Sequence, residues 1–270
     1  MKTDLQHKTV VITGGSSGIG KALVTEILRR GAIVAVCGRR LPALEALKNE
    51  INHPSLYIEA ADVSVESDCK TFIENVIARF GKIDILINNA GISMRALFSE
   101  VELSVVKSVM DINFWGTVYC TRYAYASILA NKGTIAGISS IAGYRGLPAR
   151  TGYSASKFAM QGFLEALRTE NLHTGVNVMW VCPGFTTSNI RNTALDPHGH
   201  PQSETPLNED KLMSAETAAA AIVKAIVNRK RTLVLTRQGR LTVLLSKLFP
   251  AWLDHIAYNH FKKEPGSPLR

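Results

Sequence analysis

An α/β fold with a doubly wound, seven-stranded parallel sheet is what this sequence predicts, on three observations. Short apolar runs rich in β-branched residues alternate along the chain with longer segments of helical period. Such alternation makes βαβ units, whose right-handed crossovers put helices on both faces of a parallel sheet. A glycine-rich turn joins the first apolar run to the first helical segment. The chain has 270 residues, 46% hydrophobic and 20% charged, which suits one large globular core.

The elements follow in order. T-V-V-I-T at 9–13 is the first strand, and T-G-G-S-S-G-I-G at 13–20 opens a helix over 19–30. Glycines allow a sharp turn and close approach to a pyrophosphate, and the helix start behind them offers free N–H groups. Gly14, Ser16, Ser17, Gly18, Ile19 and Gly20 are therefore candidate phosphate contacts, and the fold is Rossmann-like. The second strand, 32–37, runs into Gly38, Arg39 and Arg40. A site for NAD usually carries an acid here for the ribose 2′-OH, but no Asp or Glu occurs between Glu26 and Glu45. A guanidinium suits a 2′-phosphate, so NADP(H) is the expected cofactor, with Arg39 on the phosphate and Arg40 placed to stack on the adenine.

Further strands are expected at 56–60, 83–87, 134–139, 176–182 and 232–235. Helices are expected at 41–51, 65–79, 103–131, 152–171 and 214–228. The polar stretch 192–210, with three prolines, lies beyond the sixth strand on the side where open α/β sheets bind ligands. It reads as part of a substrate lid over about 186–213. The catalytic domain is expected over 1–238, and a basic amphipathic helical extension over 239–270.

At the start of the fifth expected helix stands T-G-Y-S-A-S-K, residues 151–157. Tyr153 and Lys157 share a helix face at i, i+4. A neighbouring ammonium favours a phenolate, which would bring the tyrosine into the range of an acid–base catalyst. Alone, the pair could equally be surface decoration.

These motifs together resemble the short-chain dehydrogenase/reductase family, over residues 8 to about 235. T-G-x-x-x-G-x-G lies at 13–20, N-N-A-G at 88–91, D-I-N-F-W-G-T around Asn113, I-S-S-x-A-G at 138–143, Y-x-x-x-K at 153–157 and P-G at 183–184. The resemblance implies that Tyr153 is the acid in carbonyl reduction and the base in alcohol oxidation. Lys157 would lower its pKa and hold the nicotinamide ribose. Ser140 would polarise the carbonyl, rather than Ser139, because strand alternation turns the two hydroxyls apart. Asn113 would hold a water linking Lys157 to solvent. Asp62 and Val63 would meet the adenine, and Asn89, Ala90 and Gly91 the ribose. Pro183, Gly184, Thr186 and Ser188 would meet the nicotinamide. The resemblance also implies a homodimer or homotetramer.

The composition narrows the partners. The net charge is +9, but residues 229–270 hold nine Lys/Arg against Asp254 and Glu264, so most of the excess lies in the tail. The body is near neutral, which argues against nucleic acid. No leader and no apolar run of eighteen residues is seen, so a cytoplasmic protein is expected. Cys37, Cys69, Cys120 and Cys182 lack metal-like spacing and read as small buried hydrophobes. No metal is expected at His198 and His200, which lack a third ligand nearby. In the tail, Leu241, Leu244, Leu245, Leu248, Phe249, Trp252, Leu253, Ile256 and Phe261 form an apolar stripe flanked by basic residues. Packing and partial pocket cover come first, and peripheral contact with a membrane surface second. Ile92, Met94, Leu147, Phe185 and Trp252 are candidates for an apolar substrate wall. The expected substrate is a lipophilic ketone, steroid-like or long-chain ketobase-like. A silent cofactor-binding sensor is the alternative, disfavoured because Ser140, Tyr153, Lys157 and Asn113 are all present.

Overall fold

A computed structural model describes residues 4–184, 186, 190–202 and 212–269 of the chain. Seven parallel strands form one sheet: β1 (Thr9–Thr13), β2 (Ile33–Gly38), β3 (Leu56–Ala60), β4 (Ile85–Asn88), β5 (Thr134–Ile138), β6 (Asn177–Cys182) and β7 (Thr232–Val234). Their spatial order is β3-β2-β1-β4-β5-β6-β7. The order reverses between β1 and β4, and the crevice beyond their carboxyl ends is where such sheets bind ligands.

Strand alternation builds two cores. Val10, Ile12, Val34 and Val36 face helices α1 (Gly18–Arg29), α2 (Leu41–Ile51) and α7 (Ala215–Val227). Val11, Ala35, Leu86 and Ile135 face α3 (Glu66–Phe80), α5 (Gly116–Ala130) and α6 (Thr151–Glu170). Burying one such side chain contributes about 1.5–3 kcal/mol. All four cysteines are buried and reduced. A third, smaller cluster of Met94, Ala96, Val101, Val105 and Val109 packs beneath Tyr153 and Leu195.

Two elements differ from the sequence reading. The helix expected over 103–131 is α4 (Leu103–Met110), one π-helical turn (Asp111–Trp115) and then α5. The extension is α8 (Arg237–Leu248) and α9 (Pro250–Lys262), divided where Pro250 opens a new helix. Its apolar stripe does not cover the pocket. Leu253 and Phe261 are buried, but Leu241, Leu244, Leu248, Phe249 and Trp252 are each more than half exposed. Tyr125 takes its place in the second core with its hydroxyl on Asn171 Oδ1 at 2.8 Å, and α5 runs on through Ala126.

Candidate active site

The glycine loop is shaped by close backbone approach. Gly14 has φ +66°, and a Cβ there would lie 2.8 Å from Ala90 Cα. A Cβ on Gly20 would lie 2.3 Å from Gly14 O. Thr13 Oγ1 accepts from the Asn89 and Ala90 N–H groups, and Asn89 Nδ2 donates to Thr13 O and Gly14 O. The ends of β1 and β4 are thereby stitched together. Ser17 caps α1 without a side-chain hydrogen bond, and no acid stands in the first turn. That leaves the positive end of α1 available to an anion.

A cleft of about 660 Å³ runs along these carboxyl ends. Gly14, Ser16, Ser17, Gly18, Ile19 and Gly20 line it, with Arg39 and Arg40 at the end of β2. Asp62 and Val63 line it beside β3, and Asn89, Ala90 and Gly91 beyond β4. Ser140, Tyr153, Lys157, Pro183, Gly184 and Thr186 complete the predicted lining. Asn113 does not reach the cleft and is fully buried behind it. Ser188 and Phe185 lie outside the described residues. Sequence reasoning missed Gly38, Ala61, Ser108, Ile112 and Ile138 and set Ser139 aside, while the lining residues Ile190, Arg191, Thr193, Leu195, Gly199 and Pro201 fall in the stretch it read as a lid. Gly38 and Ala61 close the ends of β2 and β3, a position that strand counting could have supplied. Ser108 and Ile112 meet the cleft only through folding.

The two serines just beyond β5 both line the cleft and differ in their partners. Ser139 Oγ accepts from Gln161 Nε2 at 2.8 Å, while Ser140 Oγ accepts from Ala142 N at 3.2 Å and lies beside the Tyr153 phenol. Burial pushes the Tyr153 phenol above its ordinary value, and the Ser140 hydroxyl opposes that rise. The phenol stands raised where the sequence reading expected a lowering by Lys157. The Lys157 Nζ lies over the ring face, 5.7 Å from the centroid, and donates to Ile138 O at 2.9 Å. Burial also pushes Lys157 itself down to about 8.

The serines between Tyr153 and Lys157 do more than leave a face clear. Ser154 Oγ accepts from Leu147 N, and Ser156 Oγ accepts from Asn113 Nδ2 at 2.9 Å. Asn113 also exchanges both its amide groups with the Ile92 backbone, at 2.8 and 2.9 Å. Asn113 is thus a bracket between the segment after β4 and α6.

At the wider end of the cleft, the described part of the expected lid is tied down. Leu195 N donates to Ser93 O and Arg95 N to Leu195 O, both at 2.9 Å. Ile92 lines this end, but Met94 is wholly buried core and Trp252 is 55% exposed, so neither forms the expected wall. Leu147 is half-buried and outside the lining. His198 pairs with Glu102 and His200 with Asp196. No metal-binding group of His, Cys, Asp or Glu occurs among the described residues.

The arrangement fits an elongated dinucleotide. Glycines too tightly packed for a Cβ shape the turn that leaves the start of α1 open to a pyrophosphate, and two exposed cations at one end suit a further phosphate. A phenol, a hydroxyl and an ammonium meet at the other end.

Residues 8–198 match the family model described as short chain dehydrogenase. The chain is 37% identical over 250 residues to 11-beta-hydroxysteroid dehydrogenase-like 4A of Arabidopsis thaliana, covering 91% of this chain and 82% of that protein. It is 31% identical over 271 residues to dehydrogenase/reductase SDR family member 7B of Mus musculus, covering 97% and 84%. The fold is similar to a short chain dehydrogenase/reductase from Burkholderia phymatum solved in complex with NAD. That match has a TM-score of 0.81 at 21% identity and covers 93% of this chain and 96% of that one. An alcohol dehydrogenase from the archaeon Thermococcus sibiricus, complexed with 5-hydroxy-NADP, matches with a TM-score of 0.74 at 23% identity, covering 84% and 95%.

Proposed function

This chain belongs to the short-chain dehydrogenase family, and on that premise we propose that it is an NADP(H)-dependent carbonyl reductase, reversibly an alcohol dehydrogenase, acting on a lipophilic ketone. The observation that carries the reading is one cleft with Ser140, Tyr153 and Lys157 at one end and Arg39 and Arg40 at the other. When bound, the cofactor supplies the hydride in reduction and accepts it in oxidation. Tyr153 gives its phenolic proton to the carbonyl oxygen as negative charge grows there. Ser140, beside that phenol in the cleft, donates to the same oxygen and stabilises the developing alkoxide. Lys157 is held by Ile138 O near Gly91, where it can anchor a ribose hydroxyl. A phenol raised by burial is protonated at neutral pH, which suits the reductive direction.

Arg39 and Arg40 support NADP(H) over NAD(H), since they stand at the end of β2 where a site for NAD usually carries an acid. Support for a steroid-like or similarly bulky substrate comes from the relatives' names and from Ile92, Ile112 and Leu195 in the cleft wall. The stretch 190–202 serves as the fixed part of the substrate cover.

The test is NADPH oxidation across ketones from small aryl ketones to ketosteroids and a 3-keto long-chain base. Turnover of the lipophilic class, reduced by roughly 10³-fold or more in Tyr153→Phe, is expected. Turnover that survives in the variant would overturn the mechanism. Arg39→Ala should raise KM for NADPH about tenfold and leave KM for NADH nearly unchanged. Equal effects on both would overturn the cofactor assignment.

A second reading concerns location. The outer faces of α8 and α9 carry the exposed Leu241, Leu244, Leu248, Phe249 and Trp252, with Arg237, Arg240, Lys247, Lys262 and Lys263 around them. Such a face suits an anionic membrane surface. Among the described residues no helix is long and apolar enough to cross a membrane.

A further inference from the structure

We infer that Glu264 is a positioning residue for the reaction proposed above: from the end of the C-terminal extension, its carboxylate ties together the two backbone segments that flank the ketone end of the cleft. The inference rests on that functional reading for the identity of the ketone end.

Glu264 is only 9% exposed. Its Oε2 accepts from Arg150 Nη2 at 2.9 Å and lies 3.7 Å from Arg95 Nε. Both arginine side chains are themselves largely enclosed. Arg95 also donates to the Pro265 carbonyl, and the Arg150 guanidinium stacks over Phe261 at 4.7 Å.

Each arginine belongs to a segment that reaches the cleft. The Arg95 backbone donates to Leu195 O and accepts from Gln202 Nε2 at 2.6 Å, and both Leu195 and Pro201 line the cleft. Ala96 N joins this segment to Ala149 O at 2.9 Å. Arg150 caps α6, and its carbonyl accepts from Ser154 N in the turn that carries Tyr153. At the other end of α9, Arg145 bonds Pro250 O and pairs with Asp254. The stretch from Arg145 to Arg150, which links the Ser140 corner to the Tyr153 helix, is therefore clamped at both ends by α9.

A buried carboxylate between two guanidiniums neutralises charges that would otherwise repel one another. Removing one member of such a cluster leaves uncompensated buried charge, and the segments separate to hydrate it. The glycine loop, Ser140 and Lys157 are placed instead by β1, β4, β5 and α6. Loss of the brace therefore acts on the ketone end and spares the cofactor end.

The experiment compares the full-length protein with Glu264→Gln, which keeps size and an acceptor but removes the charge. Steady-state kinetics should show KM for the bulky ketone raised about tenfold, with KM for NADPH within twofold. Ketone and NADPH constants both within twofold would overturn the proposal. So would a parallel loss of both, which marks general unfolding. Hydrogen exchange without ligand gives a readout independent of turnover. The amides of Arg95, Ala96, Ser154 and Leu195 should exchange at least about tenfold faster, with β1, β4 and β5 unchanged. Unchanged exchange at those four, or uniform acceleration everywhere, would overturn the brace. If the wild type reduces no ketone, the functional reading fails while the exchange result still decides the brace. Should Glu264→Gln not fold, Glu264→Asp, with charge kept and reach shortened, should show the same selective changes.

Discussion

Lys157 shows how function is set against stability within one side chain. It is 2% exposed, no carboxylate pairs with it among the described residues, and its ammonium donates to Ile138 O. Burial pushes it from 10.5 down to about 8, so the charged form is disfavoured in the folded protein by about 3 kcal/mol. The unfolded chain binds more protons between those two values, so stability rises with pH from about 8 to 10.5 and the penalty is complete below 8. Lys157→Met should remove this dependence. Denaturant unfolding at pH 7 should show the variant as stable as wild type or more so, with turnover reduced by roughly 10³-fold. A large loss of stability at pH 7 would contradict the account. Tyr153 carries the matching burden, a phenol raised by burial and relieved in part by Ser140. Both residues were legible in T-G-Y-S-A-S-K. The direction of their shifts was not, because desolvation depends on what the other elements bring to cover them.

At the scale of elements, the π-helical turn Asp111–Trp115 is the informative departure. Apolar period alone predicts one helix over 103–131, because a single widened turn hardly disturbs the spacing. The widened turn carries Asn113, whose side chain bonds Ile92 N, Ile92 O and Ser156 Oγ. Removing that amide strands buried donors and acceptors on two other elements. Asn113→Ala should therefore lower unfolding stability by about 2–4 kcal/mol. A loss under 1 kcal/mol in a denaturant titration would show that the bracket contributes little. The strand and helix boundaries otherwise lie within two or three residues of their predicted places, since β-branched runs, glycines and prolines mark them locally.

At the scale of the whole molecule, charge and apolar surface are segregated. The tail carries most of the net positive charge and also seven of the exposed large apolar side chains, from Leu241 to Tyr258. On a dry interior that combination would be unfavourable, and its outward display suits a surface that is both anionic and apolar. Flotation with vesicles containing phosphatidylserine should carry the full-length protein, weaken in high salt and fail for a chain truncated after Gln238. Absence of flotation at low salt, or unchanged flotation after truncation, would contradict the membrane reading.

The sequence by itself determined the order of strands and helices, the parallel sheet, the glycine turn and many of the residues that line the cleft. The first three depend on local periodicity and on backbone freedom at glycine, carried by near neighbours in the chain, and the last on motif spacing. Only the tertiary structure decided which face of the C-terminal helices is buried, that Asn113 is a bracket behind the cleft, and that Glu264 meets Arg95 and Arg150. Those outcomes depend on contacts between segments far apart in the chain. An amphipathic stripe or a lone acid has the same local pattern whichever surface it finally meets.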